Sequence, residues 1–362
     1  MRTILQKCVQ YQWKKITILH ILLWPLSWIF ICIVFSRKKI LLQRQKRIKA
    51  PLIVVGNVSV GGNGKTPFVI ALANNLTARG LKVGIISRGY GRTYPQTTLL
   101  INHKMPTEFI GDEAQLIWKK TTALICVSRN RIKGAQILVE SGCQVIISDD
   151  GLQHYGLYRD IEVGLISMEN GIGNGLRIPA GPLRESKKRL LACDFLVLQN
   201  NKRRPKLTTQ WQAILAQYGS SQTKDPYTSR PHKPVYMHYK IKKFRALCTG
   251  EECDPAHWIL AKSIKAVCAI ANPERFATLL AEAGFSVELE PLPDHDRIKH
   301  EHLQHQTSPV FITEKDAVKL ENYREKLKNV WVVEIAVSFS VDIFTNIANR
   351  IAKNSSEQLT TS

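Results

Sequence analysis

Apolar residues along this chain gather in short runs separated by longer segments with helical spacing. Residues 52–55, 82–87, 123–128, 144–148, 161–166 and 195–199 each read as a buried strand. Between them lie amphipathic segments, such as the run from Pro67 that stops at Gly80 and the run 132–141 closed by Gly142. Apolar strands alternating with helices predict a parallel sheet covered on both faces. From Asn200 to about Pro234 the rhythm gives way to polar, basic sequence that reads as a connector. It then resumes, with strands over 264–271 and 309–312 and helices over 273–283 and from Ala317 onward. The polar tail from Asn354 is expected to fray. The expected class is α/β: a parallel-sheet domain, then a second, smaller α/β domain.

A different pattern precedes the first strand. Residues 16–36 contain no formal charge, and a run of this length is enough to cross a bilayer. Trp13, Trp24 and Trp28 suit its interfaces, and Pro25 introduces a kink. The run predicts an N-terminal membrane helix, spanning or lying partly in the surface, with a buried hydrophobic hairpin as the alternative. Arg37, Lys38 and Lys39 follow directly, without the small residues of a signal-peptide cleavage site. Seven Lys/Arg lie between Arg37 and Lys49 against four before Ile16, which places the C-terminal side in the cytoplasm.

Charge and cysteine content narrow the partners. The formal net charge is +22, and residues 1–50 hold eleven Lys/Arg and no Asp or Glu. Half the excess therefore flanks the apolar run, which fits anionic lipids or an anionic substrate. No nucleic-acid-binding motif is present, so no nucleic acid partner is expected. The eight cysteines are scattered without a CxxC pair, as in a reducing compartment, and a zinc site is not expected.

The sequence PLIVVGNVSVGGNGKT over 51–66 carries the clearest chemistry. A buried strand empties into a glycine-rich turn (Gly61, Gly62, Asn63, Gly64) ending in Lys65 and Thr66, and Pro67 opens a helix. That is the setting of a phosphate-binding loop. Its backbone N–H groups and helix N-terminus cradle phosphate oxygens, Lys65 reaches the β/γ-phosphates, and Thr66 offers a hydroxyl to Mg²⁺. Ser59 stands where the strict pattern has glycine.

Other strand ends add candidates. Residues 144–148 run into Asp149 and Asp150, where a Mg²⁺-organising carboxylate belongs. SRGYGR puts Arg88 and Arg92 on a flexible loop at another strand end, and a solvated loop accounts for them equally well. Asp112 of GDE, taken alone, reads as a turn residue or helix cap. His295 lies between Asp294 and Asp296, an arrangement that tunes an imidazole but also describes an exposed acidic loop.

These segments, in this order, resemble the tetraacyldisaccharide 4'-kinase family, the lipid A 4'-kinases of Gram-negative bacteria. The likeness runs from GNVSVGGNGKTP through SRGYGR, GDE, ISDDGLQH, PAGPLRE, AIANPERF and PDH to TEKDAVK, over roughly residues 50–320. It implies transfer of the ATP γ-phosphate to the 4'-hydroxyl of an acylated glucosamine disaccharide 1-phosphate, giving lipid IVA. The implied setting is the cytoplasmic face of the bacterial inner membrane, with its anionic lipids as partners. The implied layout is an anchor over 1–50, a P-loop kinase domain and linker over 51–230, and a smaller α/β domain with a C-terminal helix over 231–362. Carried over, Asp112 is the catalytic base and His295 its partner, while Lys65 and Thr66 hold phosphate and Mg²⁺ beside Asp149 and Asp150. Arg88, Arg92, Arg131, Arg184 and Glu185 take positions of active-site contacts. A membrane-associated regulatory ATPase of the partition type competes, but its loop carries lysine where Val60 stands here, and it would leave Asp112 and His295 without a role.

Overall fold

The computed structural model of the chain describes residues 13, 18–61, 64–101, 103, 105–169, 171–200, 209–221, 233–259, 262–304, 306 and 308–360. Gly62 and Asn63, most of the expected connector, and the start of the expected membrane segment lie outside these residues.

One sheet organises the molecule. In the first unit, β1 (Leu52–Gly56) lies between β5 (Val145–Asp149) and β6 (Ile161–Ser167), all parallel. β2 (Val83–Ser87) follows β5, then β4 (Leu124–Val127) and the short antiparallel edge β3 (Leu99–Ile101). β7 (Phe195–Gln199) extends the other side. Apart from the edge β3, the strands from β1 to β7 are almost continuously buried, as apolar runs covered by helices on both faces must be.

The second unit carries β10 (Ser263–Cys268), β11 (Ser286–Pro291) and β12 (Val310–Thr313), again parallel. Two long strands, β8 (Val235–Ala246) and β13 (Val330–Phe339), join it to the first unit as an antiparallel ribbon. β8 continues the sheet from β7 and β13 continues it into β12, so thirteen strands, with β9 (Glu252–Cys253) off β8, make a single sheet. Of the ribbon, β8 is not apparent from apolar runs, because basic residues punctuate it (Lys240, Lys242, Lys243, Arg245) and it is only partly buried.

Two expectations are corrected. A helix, Thr209–Ser221, occupies part of the expected connector, with Trp211, Ile214 and Tyr218 packed on the first unit. The tail does not fray from Asn354, since the helix Ile343–Thr360 runs on beyond it. That helix also joins the first unit's core rather than the second's. Ile343, Ile347 and Ile351, at helical spacing, pack with Phe68 and Leu72, and Arg350 pairs with Asp194 at 2.5 Å.

The expected N-terminal helix is met in part. The helix Ile18–Gln43 forms, yet among the described residues no helix is long and apolar enough to cross a membrane. Its inner stripe is docked on the first unit. Ser27 Oγ donates to the Arg177 carbonyl at 3.1 Å and accepts from the Ala180 amide at 3.2 Å. Lys38 lies over the Tyr155 ring, and Gln45 Nε2 donates to the carbonyls of Tyr155 and Leu157. Leu22, Trp24, Trp28, Ile29, Ile33 and Phe35 point away from the body and stay exposed.

Candidate active site

The loops after β1, β5 and β2 leave neighbouring strands at the same end of the sheet, the position where parallel α/β sheets bind ligands. Gly64 caps the helix Lys65–Ala78 in a left-handed conformation, φ +77°. A Cβ there would lie 2.5 Å from Tyr239 Oη and 2.6 Å from Met237 Cε, so both backbone and ribbon require glycine. Lys65 Nζ donates to Asp150 Oδ1 at 2.8 Å and Asn57 Oδ1 at 3.3 Å. Arg184 donates to the same carboxylate at 3.0 Å, and its own amide is fixed on the Val58 carbonyl at 2.7 Å. Burial works against the Asp150 charge, but Lys65 and Arg184 outweigh it and hold the carboxyl far below its usual range.

Asp149, one residue earlier, has the opposite surroundings. It is buried, its Oδ1 has no hydrogen-bond partner, and burial together with Glu113 raises its proton affinity. Glu113 belongs to the helix Asp112–Lys120 and so brings a second cluster close to the first.

That second cluster is assembled across the two units. Asp112 is buried at the start of its helix behind Gly111, whose φ is +87°. His295 Nδ1 lies 3.0 Å from Asp112 Oδ2, and its ring packs on Tyr90 with centroids 4.8 Å apart. Lys315 and Lys319, from the helix Glu314–Leu320, stand 3.8 Å and 3.6 Å from the same oxygen. Burial favours the neutral acid, but the His295 hydrogen bond and the two ammonium groups prevail and hold Asp112 at about 2. The two helices lie side by side, and Lys120, at the far end of the first, pairs with Glu314 and, at 2.9 Å, with Glu334.

The expected arginines divide. Arg184 is in the phosphate cluster, and Arg88 is exposed near His154 and Arg131. Arg131 is instead buried beneath the site, donating to the carbonyls of Ile86 and Asp149 at 2.7 Å each. Arg92 is buried too, on the carbonyls of Pro95 (2.8 Å) and Thr97 (2.6 Å). Neither presents a free guanidinium, and both brace the loops that shape the site. Glu185 accepts from the Tyr155 hydroxyl in a buried network with Arg189.

Lys315 and Lys319 were not among the expected site residues. Their signal was the spacing in TEKDAVK, which puts positions four apart on one helix face.

A family model described as tetraacyldisaccharide-1-P 4'-kinase (LpxK) matches residues 19–352. Proteins named tetraacyldisaccharide 4'-kinase from Photobacterium profundum and Hahella chejuensis are 35% and 34% identical to the chain over 347 and 340 residues. These matches cover 93% and 91% of this chain and 92% of each relative. A crystal structure of LpxK from Aquifex aeolicus in complex with ATP superposes with a TM-score of 0.69 at 27% identity, covering 93% of this chain and 99% of that one. With the motifs in order and the match spanning almost its whole length, the chain belongs to the tetraacyldisaccharide-1-P 4'-kinase family.

Proposed function

We infer that the chain is an ATP-dependent lipid kinase that phosphorylates the 4'-hydroxyl of a tetraacyl glucosamine disaccharide 1-phosphate, forming lipid IVA in lipid A biosynthesis. The observation that carries the mechanism is a phosphate loop paired with a carboxylate–imidazole dyad in the same chain. A nucleotide switch needs the first and has no use for the second.

The reaction follows from these groups. As the bond from O4' to the γ-phosphorus forms, the bond from that phosphorus to the β,γ-bridging oxygen breaks and ADP leaves. The O4' proton passes to Asp112, the base. Lys65 and Arg184 meet the charge spread over the phosphoryl oxygens in a loose transition state. Asp149 and Thr66 suit Mg²⁺, because an orphaned buried carboxylate oxygen beside a phosphate site is relieved by a hard cation with few protein ligands. Asp150, engaged by Lys65 and Arg184, stands next to them. When bound, Mg²⁺ neutralises phosphate oxygens.

The exposed apolar side of the helix Ile18–Gln43 suits a helix lying in a bilayer surface, and the basic stretch 37–49 suits anionic headgroups. The acylated substrate keeps its chains in that bilayer, so the proposed location is the cytoplasmic face of the bacterial inner membrane.

The test is incubation of the purified full chain with γ-labelled ATP and anionic vesicles, with and without tetraacyl disaccharide 1-phosphate. Label should enter lipid only when the acceptor is present, and the protein should float with the vesicles. Steady ATP hydrolysis with no labelled lipid would favour the regulatory ATPase instead. Loss of residues 1–36 should weaken flotation, leaving a salt-sensitive remainder from 37–49.

A further inference from the structure

We propose that Lys315 is a positioning residue of the dyad: its ammonium donates to His295 Nε2, which fixes the imidazole as the neutral tautomer with its proton on Nδ1, donated to Asp112. This deepens the kinase reading, and its kinetic consequences rest on that reading.

The assignment comes from donor chemistry at both ring nitrogens. Lys315 Nζ is 3.3 Å from His295 Nε2, 3.1 Å from Asp294 Oδ1 and 3.8 Å from Asp112 Oδ2. An ammonium has hydrogens to give and no lone pair, so the ring nitrogen facing it must accept. On the other side, Nδ1 meets Asp112 Oδ2 at 3.0 Å, and a carboxylate only accepts, so Nδ1 must carry hydrogen. One neutral tautomer satisfies both contacts. The Nε2–H tautomer fails at both, and an imidazolium would set N–H against N–H at Lys315.

The surroundings make Lys315 necessary for this. His295 has a carboxylate on each side, Asp112 at Nδ1 and Asp294 3.8 Å from Nε2. Without Lys315, both ring nitrogens would face carboxylates, which only accept. The remaining charged groups are Lys319, 3.6 Å from Asp112, with Asp316 3.6 Å from Lys319, and Glu113 near Lys315. The Tyr90 ring covers the face of the imidazole. Burial works against the Lys315 charge, but Asp294, Asp112 and Glu113 prevail and raise its pKa, so it stays a cation.

The backbone is tied to the same helix. Thr313 caps it, accepting from the Asp316 amide at 3.2 Å. Asp316 Oδ2 accepts from the Ala269 amide at 3.2 Å, and the Ala269 carbonyl accepts from the His295 amide at 3.2 Å. Lys315 and the backbone of His295, which has a φ of +66°, therefore move together. With a neutral ring, no full charge sits inside the hydrogen bond to Asp112, and the carboxylate keeps more of its capacity to take the O4' proton. With an imidazolium there, that capacity falls.

The experiment uses the full chain labelled with ¹⁵N-histidine. Long-range ¹H–¹⁵N spectra near neutral pH should show His295 in the Nδ1–H form, assigned by loss of its signals in His295→Asn. In Lys315→Met the ring should become doubly protonated at a pH where the wild type is neutral. kcat should fall about ten- to hundredfold, a part of the roughly 10²–10⁴-fold that acid–base assistance contributes, with KM for ATP within about twofold. The acid limb of the pH–kcat profile should move to higher pH. Lys315→Arg, also a cation that only donates, should recover part of the rate and the tautomer. An Nε2–H tautomer or an imidazolium in the wild type overturns the proposal, as does Lys315→Met with unchanged kcat and pH profile. The spectra need no substrate, so failure to phosphorylate the disaccharide would sink the kinase reading and leave the tautomer result standing.

Discussion

The phosphate cluster and the dyad cluster are built in different ways. Lys65, Asp149, Asp150 and Arg184 all come from the first unit, at the ends of adjacent parallel strands or pinned to them by backbone bonds. Asp112 comes from a first-unit helix, while His295, Lys315 and Lys319 come from the second unit. The first site is a property of one sheet, whereas the second exists only while two units are docked. Asp112 and Glu314 begin two neighbouring helices, and the charge pairs at both ends of that helix pair hold the docking: Asp112 with the two lysines, Lys120 with Glu314. The two sites should therefore respond differently to damage.

The largest effect is expected at the phosphate loop. Lys65→Ala should lower kcat by roughly a hundred- to a thousandfold, because the contact is needed where charge spreads in the transition state. It should leave the docking untouched, so the histidine spectrum of His295 should not change. A changed spectrum would mean that the sites are not separable.

The dyad comes next. Asp112→Ala should depress kcat by about a hundredfold with ATP affinity nearly unchanged. His295→Ala should lose somewhat less, and the double variant little more than Asp112→Ala alone. Multiplicative losses in this cycle would show that the two residues act independently.

The smallest effect tests the docking from a distance. Lys120→Ala touches neither site, yet it removes the charge partner of Glu314 and one of those of Glu334, which keeps Arg245 at 2.9 Å. A loss of about tenfold in kcat with unaltered ATP affinity is expected, the cost of a modest misplacement of the dyad. The swap Lys120→Glu with Glu314→Lys should restore part of it. A matching rise in KM for ATP would extend the influence of the docking to the phosphate cluster.

Strands β1, β2, β4 to β7, β10 and β12 and the phosphate loop were legible because each is encoded locally, whereas the short edge β3 and the half-exposed β11 were not. A run such as 161–166 is apolar whichever neighbour it pairs with, and Gly64-Lys65-Thr66 between strand and helix has one natural reading. β8 was not legible, since a half-buried strand rich in lysine lacks a continuous apolar run, and β13, apolar over Val330–Val333, lies in the stretch read as helix from Ala317 onward. Arg92 read as a candidate anion contact and the resemblance placed Arg131 among the active-site contacts, yet both turned inward, because a guanidinium serves a backbone carbonyl as well as a phosphate and sequence does not record which is nearer.

The sequence by itself determined the α/β class, the phosphate loop, the carboxylates after β5 and, through its ordered motifs, the family. The tertiary structure alone decided that Asp112, otherwise a plain helix start, is surrounded by His295, Lys315 and Lys319. It also decided that the N-terminal helix rests along the body and that the C-terminal helix returns to the first unit. The physical reason is range. Propensity, periodicity and loop chemistry act between residues a few positions apart, whereas the Asp112–His295 contact spans 183 positions and follows from how two distant stretches of the chain fit together.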